Sequence, residues 1–92
     1  MAWNYRVIHS SGVHGGEPWD YFAIHEVYYK KEESPDDVPR SCSSDPDTVG
    51  SEEGVEGLRW ILTKMLESLD KPVLEMKFFD QLTAQAKEKD NA

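Results

Sequence analysis

The chain has 92 residues and a mass of 10.5 kDa, which fits one small domain and excludes strand–helix barrels and six-stranded dinucleotide-binding folds. Its single cysteine, Cys42, excludes an internal disulfide and a zinc site made of cysteine alone. The formal charge is −8, and residues 31–56 alone hold nine acidic and two basic residues. This balance argues against direct binding of nucleic-acid phosphates and against docking on an anionic membrane.

The chain shows neither a membrane-spanning segment nor a targeting signal. No apolar run is long enough for a membrane helix, and the first residues lack the basic-then-apolar pattern of a signal peptide. We therefore expect a soluble, cytoplasmic protein that carries no cofactor.

Two strands are predicted in the first third of the chain. Residues 3–9 alternate between two faces, as a strand does, and the glycine-containing segment 10–18 is predicted to be a loop. Residues 19–30 are rich in aromatic and β-branched side chains and form the strongest strand signal. Both faces of this strand carry apolar groups, which leaves open which of them meets the core.

The central segment is predicted to be mostly irregular. Residues 31–40 are polar and contain two prolines, residues 40–44 could form a short third strand, and residues 45–50 read as a turn. Ser51 is the predicted N-cap of a helix. Gly54 and Gly57 lower the helix propensity of the first turn of that helix.

An amphipathic helix follows. Its apolar residues recur at helical spacing and fall within a single arc of about 140°; they are Val55, Leu58, Ile61, Leu62, Met65, Leu66 and Leu69. The helix is predicted to end at Lys71-Pro72, because a residue before proline avoids the α region. Residues 72–74 should return to the sheet as an extended stretch, and residues 76–89 permit a short second helix.

These elements predict an α+β fold. We expect an antiparallel sheet of two to three strands packed on one amphipathic helix, with a possible short second helix at the C-terminus. Residues 1–75 would form the single domain, and residues 76–92 a tail or short helix.

Three segments of the chain stand out together: Trp3-Asn4-Tyr5-Arg6-Val7-Ile8, Ile24-His25-Glu26-Val27-Tyr28-Tyr29 and Leu69-Asp70-Lys71-Pro72-Val73-Leu74. With these segments the chain resembles a family of small bacterial proteins without an established activity. The expanded loop at 31–38 and the tail from Met76 depart from that family pattern. The strand–strand–strand–helix order is also distantly similar to HicB-type antitoxin domains, a likeness that implies no function.

Candidate catalytic and metal-binding residues are few. Cys42 and His25 lack the surroundings of a nucleophile, and His9 with His14 falls short of a zinc ligand set. Residues 45–56 partly match the spacing of an EF-hand loop, but Val49 occupies a ligand position. We therefore predict no catalytic centre and no metal site.

Trp60 is the strongest candidate for a functional residue. It lies opposite the middle of the apolar arc, so it either packs beneath Phe78 and Phe79 or stands exposed as an anchor for a partner. Arg59 and Lys64 flank it as a polar rim. The full set of predicted partner-binding residues is Trp60, Arg59, Lys64, Tyr28, Asp36 and Asp37.

The sequence therefore predicts a small, non-enzymatic interaction module that binds a protein partner or forms a homodimer. The alternative is an acidic decoy that mimics nucleic acid and blocks a basic nucleic-acid-binding protein. Such a decoy would release its partner at high salt, because charge mimicry is screened.

Overall fold

The computed structural model describes residues 2–29 and 38–90, with side chains up to residue 85. Along the chain the elements are β1 (Ala2–His14), β2 (Glu17–Tyr29), β3 (Ser41–Cys42), α1 (Gly54–Ser68), β4 (Leu74–Glu75) and α2 (Met76–Asp90). The predicted α+β class is confirmed. The sheet has four strands in the order β3-β2-β1-β4, so the prediction of two to three strands was too low.

Strands β1 and β2 form one long antiparallel hairpin, with Val7 opposite Ile24 and His14 opposite Glu17. Gly15 and Gly16 make its turn at φ values of 58° and 83°, a region that glycine enters at little cost. The predicted loop at 10–18 is therefore wrong: both strands continue through it. Gly12 is a weak strand former and interrupts the alternation in the sequence, yet the Trp19 ring lies so close over it that a Cβ at residue 12 would require the ring to move.

The two outer strands are short. Segment 40–47 runs beside β2 and bonds to it through the backbone, Ser43 N–H to Glu26 O and Asp47 N–H to Ile24 O, both at 2.9 Å. This confirms the predicted third strand at β3. The extended stretch predicted before residue 75 is confirmed as β4, which pairs in parallel with β1.

Helix α1 covers one face of the sheet, the face that carries Val7. It begins at Gly54, later than predicted, because Ser51 instead accepts the backbone N–H of Glu53 at 3.0 Å in the preceding turn. It ends at Ser68, before the predicted stop. Only Met65 and Ser68 of the helix are fully buried.

Helix α2 covers the opposite face, so the prediction of a sheet packed on one helix was incomplete. Phe79 joins Ile8, Val27 and Tyr29 in the most buried cluster of the molecule. The sequence predicts a second helix as a possibility, and in the structure this helix covers the most buried cluster and contributes Phe79 to it.

Arg6 fixes the chain between α1 and β4. Its guanidinium donates to the carbonyl oxygen of Pro72 at 2.6 Å and to the Tyr29 hydroxyl at 3.3 Å, and that hydroxyl donates to Asn4 at 3.0 Å. The strand that carries the core therefore also anchors the connection that brings β4 back to the sheet.

Candidate functional site: an aromatic cleft beside helix α1

The rotation of α1 about its own axis on the sheet determines which of its side chains remain exposed to a partner. Met65 and Ser68 face the sheet, so Trp60 lies on one flank of the helix, with 53 % of its surface exposed. Phe79 packs on the other face of the sheet, so of the two alternatives for Trp60 the one that packs it beneath Phe78 and Phe79 is wrong. Trp60 instead faces the start of β1.

The sheet supplies the opposite wall of a cleft of about 480 Å³. Trp3 and Tyr5 alternate onto the same face of β1, and their rings meet edge to face with centroids 5.1 Å apart. Both residues line the cleft together with Trp60. Rigid aromatic walls around a partly open cleft are typical of surfaces that anchor a partner.

Charged side chains border the cleft. Lys64 places its ammonium 5.9 Å from the Trp60 ring centroid and pairs with Glu67 at 3.5 Å. Lys71 closes the same border. The predicted polar rim is therefore present on the Lys64 side.

Arg59 lies elsewhere. It is mostly exposed, pairs with Glu56 at 3.5 Å and lines the groove beside Leu62 and Leu66. The prediction that Arg59 and Lys64 rim Trp60 together is thus half wrong, because residues 59 and 64 project from different sides of α1.

Of the other predicted binding residues, Tyr28 adjoins this site. It is the cross-strand partner of Trp3, and its hydroxyl donates to the Glu26 carboxylate at 3.0 Å. Burial, followed by the hydrogen bond to Glu26 and then its charge, raises the pKa of Tyr28 above its ordinary value. Asp36 and Asp37 lie outside the described residues.

Sequence reasoning missed a half-buried carboxyl group, Asp47, which lines a separate pocket with Val7 and Met65. Burial raises the pKa of Asp47 and nearby Glu26 raises it further, while His25 acts in the opposite direction. Burial and the charge of Asp47 also raise the pKa of Tyr5. The sequence placed Asp47 in a turn, and nothing in a turn signal indicates that the backbone of residue 47 bonds to β2.

The remaining candidates have structural roles in the fold. His25 is buried, with Nδ1 at 3.0 Å from the Ser43 carbonyl oxygen. Burial raises the pKa of the Cys42 thiol, which disfavours a reactive thiolate. Across residues 2–29 and 38–90, no group of three His, Cys, Asp or Glu side chains is placed to hold a metal ion.

Neither protein-family models, curated proteins nor solved structures give a match to this chain. The resemblance to the bacterial family and to HicB-type domains therefore stays a prediction. Within the part of the chain that the structure describes, neither helix has the length and apolarity needed to cross a membrane.

Proposed function

We propose that the protein is a non-enzymatic interaction module that binds a protein partner through the cleft of Trp3, Tyr5 and Trp60. The observation that carries the proposal is the exposure of Trp60 opposite two further aromatic rings. Tryptophan and tyrosine are enriched among the residues that dominate binding energy at interfaces.

The border of the cleft favours a polypeptide ligand. Lys64 and Lys71 offer two cations beside Glu67, so the surface presents both signs of charge around an apolar centre. A partner with an apolar or aromatic side chain flanked by acidic groups would fill the cleft and meet the lysines. Such a charged rim sets specificity and association rate more than affinity.

Affinity capture from a lysate of the source organism tests the proposal. Wild type, Trp60→Ala and Trp19→Ala would serve as baits, since Trp19 is likewise an exposed tryptophan but lies far along the hairpin. We expect a defined protein that wild type and Trp19→Ala both retain. Its purified form should bind Trp60→Ala about 30-fold more weakly, the loss typical of an interface hot spot.

Two results would contradict the proposal: equal binding of that protein by Trp60→Ala, or no protein captured by any bait. The decoy alternative has a different signature. A basic nucleic-acid-binding protein that Trp60→Ala still retains and that high salt releases would favour charge mimicry over the aromatic cleft.

A further inference from the structure

The apolar arc of α1 is only partly covered by the sheet. Val55, Leu62, Leu66 and Leu69 are each between 52 and 69 % exposed, although the sequence pattern predicts them for the core. With Leu58 they form a continuous row on the flank of α1 away from Trp60, which we call the leucine stripe: Val55, Leu58, Leu62, Leu66 and Leu69. The groove along Val55, Leu58, Leu62 and Leu66 has a volume of about 370 Å³.

The spacing within the stripe is symmetric about Leu62. Leu58 and Leu66 lie at equal distances in sequence on either side of Leu62, and so do Val55 and Leu69. A two-fold axis through Leu62, perpendicular to the helix, therefore brings each stripe residue of one antiparallel helix opposite a stripe residue of the other. A two-fold interface requires this self-complementarity.

We propose that the leucine stripe is the interface of a homodimer, in which α1 packs antiparallel against α1 of a second copy around Leu62. The proposal goes beyond the aromatic cleft, which lies on the other flank of the helix. The two surfaces can therefore be tested independently.

The exposed area suits a second copy. Val55, Leu62, Leu66 and Leu69 are each more than half exposed, so a second copy seated on the stripe removes large apolar side chains of both chains from water. Contiguous exposed apolar patches of this kind often serve as interaction surfaces.

Charge along the helix is also compatible with antiparallel pairing. Glu52 and Glu53 precede the N-terminus of α1, whereas its C-terminal end carries two acidic residues and one basic one, Glu67, Asp70 and Lys71. In an antiparallel pair the acidic start of one helix lies beside this less strongly charged end of the other, and the two helix dipoles oppose each other. A parallel pair would place the acidic ends side by side.

The oligomeric state of the full chain tests the interface. Sedimentation equilibrium should show a dimer for wild type, and Leu66→Asp or Leu62→Asp should weaken association at least about 100-fold, because each copy would bury an unpaired carboxylate. Circular dichroism should remain unchanged, since both side chains are exposed. Val13→Asp, an exposed position at the end of the hairpin, is the control that should stay dimeric.

Disulfide trapping tests the symmetry. In a Cys42→Ser background, Leu62→Cys should cross-link to its own copy, because the two-fold axis brings the two Cβ atoms within disulfide range. Lys64→Cys, on the opposite flank, should not. A monomeric wild type, a dimer that survives Leu66→Asp, or a dimer in which Leu62→Cys fails to cross-link would each overturn the proposal.

Discussion

His9 connects three strands through its side chain. Its Nε2 lies 2.7 Å from Asp20 on β2, and its Nδ1 lies 2.7 Å from Glu75 on β4. The ring also stacks on Phe22 with centroids 4.7 Å apart. Two carboxylate partners require an N–H on both ring nitrogens, which only the protonated imidazole has. The hydrogen bond with Asp20, followed by that with Glu75, raises the pKa of His9 above its ordinary 6.5.

This arrangement predicts a pH-dependent contribution to stability. Because the pKa is higher in the folded state, the contribution is fully present below pH 6.5 and is lost as pH rises through the folded-state pKa. Urea unfolding of wild type and His9→Gln, compared at several pH values, should show a stability difference in favour of wild type that shrinks as pH rises.

His14→Gln is the matched control, since His14 lies exposed at the end of β1. The pH dependence of its stability should match that of wild type. A difference between wild type and His9→Gln that stays constant from low to high pH would show that the two carboxylates do not stabilise a charged His9.

At the scale of the element, the start of α1 depends on a close contact that a propensity scale does not reveal. The Ser51 side chain, which holds the Glu53 N–H, occupies the space where a Cβ on Gly57 would lie, and the Glu53 Cβ would be 3.0 Å away. Gly57 therefore does more than lower helix propensity, because it leaves room for the preceding turn to pack against the helix.

We expect Gly57→Ala to lower the free energy of unfolding by about 1 kcal/mol through this crowding. At an ordinary helix position the same change would stabilise by about 1 kcal/mol. Urea unfolding of Gly57→Ala, Ser51→Gly and the double variant measures the coupling between the two positions. Alanine should become favourable once Ser51 is glycine, and a Gly57→Ala variant more stable than wild type would contradict this account.

The elements show what can be predicted from the sequence and where prediction ends. The amphipathic α1, the second helix and the return to the sheet at Leu74 follow from periodicity and from the position of Pro72, which are local properties. The hairpin beyond Ser10 does not, because Gly12, Gly15 and Gly16 weaken the strand signal there and the segment is held in register by pairing with β2.

The candidate site could be predicted only in part, because it too depends on how the elements pack against one another. A helical pattern shows that residues of α1 share a face, but not how much of that face another element covers. The position of Trp60 opposite the apolar arc predicts its exposure, whereas the same pattern predicts Leu62 and Leu66 for the core although both are exposed. The rotation of α1 on the sheet is a tertiary property set by Met65, Ser68 and the strands beneath them.

For the molecule as a whole, the decisive feature is a sheet covered by a helix on each face. Helix α1 packs over the face of Tyr5 and Val7, and α2 packs over that of Ile8, Val27 and Tyr29. A two-stranded hairpin is marginal in water by itself. Since the most buried cluster lies on the α2 side, the last helix should contribute much of the stability of the fold.

A phenylalanine-to-alanine substitution in this core can be compared with the same substitution on the surface. Phe79 is 5 % exposed in α2 and Phe22 is 60 % exposed on the hairpin. Phe79→Ala should lower the free energy of unfolding by about 3–5 kcal/mol, the cost of a cavity in a packed core. Phe22→Ala should cost under about 1 kcal/mol, because most of that ring is already in water. Urea unfolding at one low protein concentration keeps self-association from affecting the comparison. Equal losses of unfolding free energy in the two variants would mean that α2 lies on the sheet without sharing its core. Phe79→Ala would then leave the protein folded, although proteins of this size are only marginally stable.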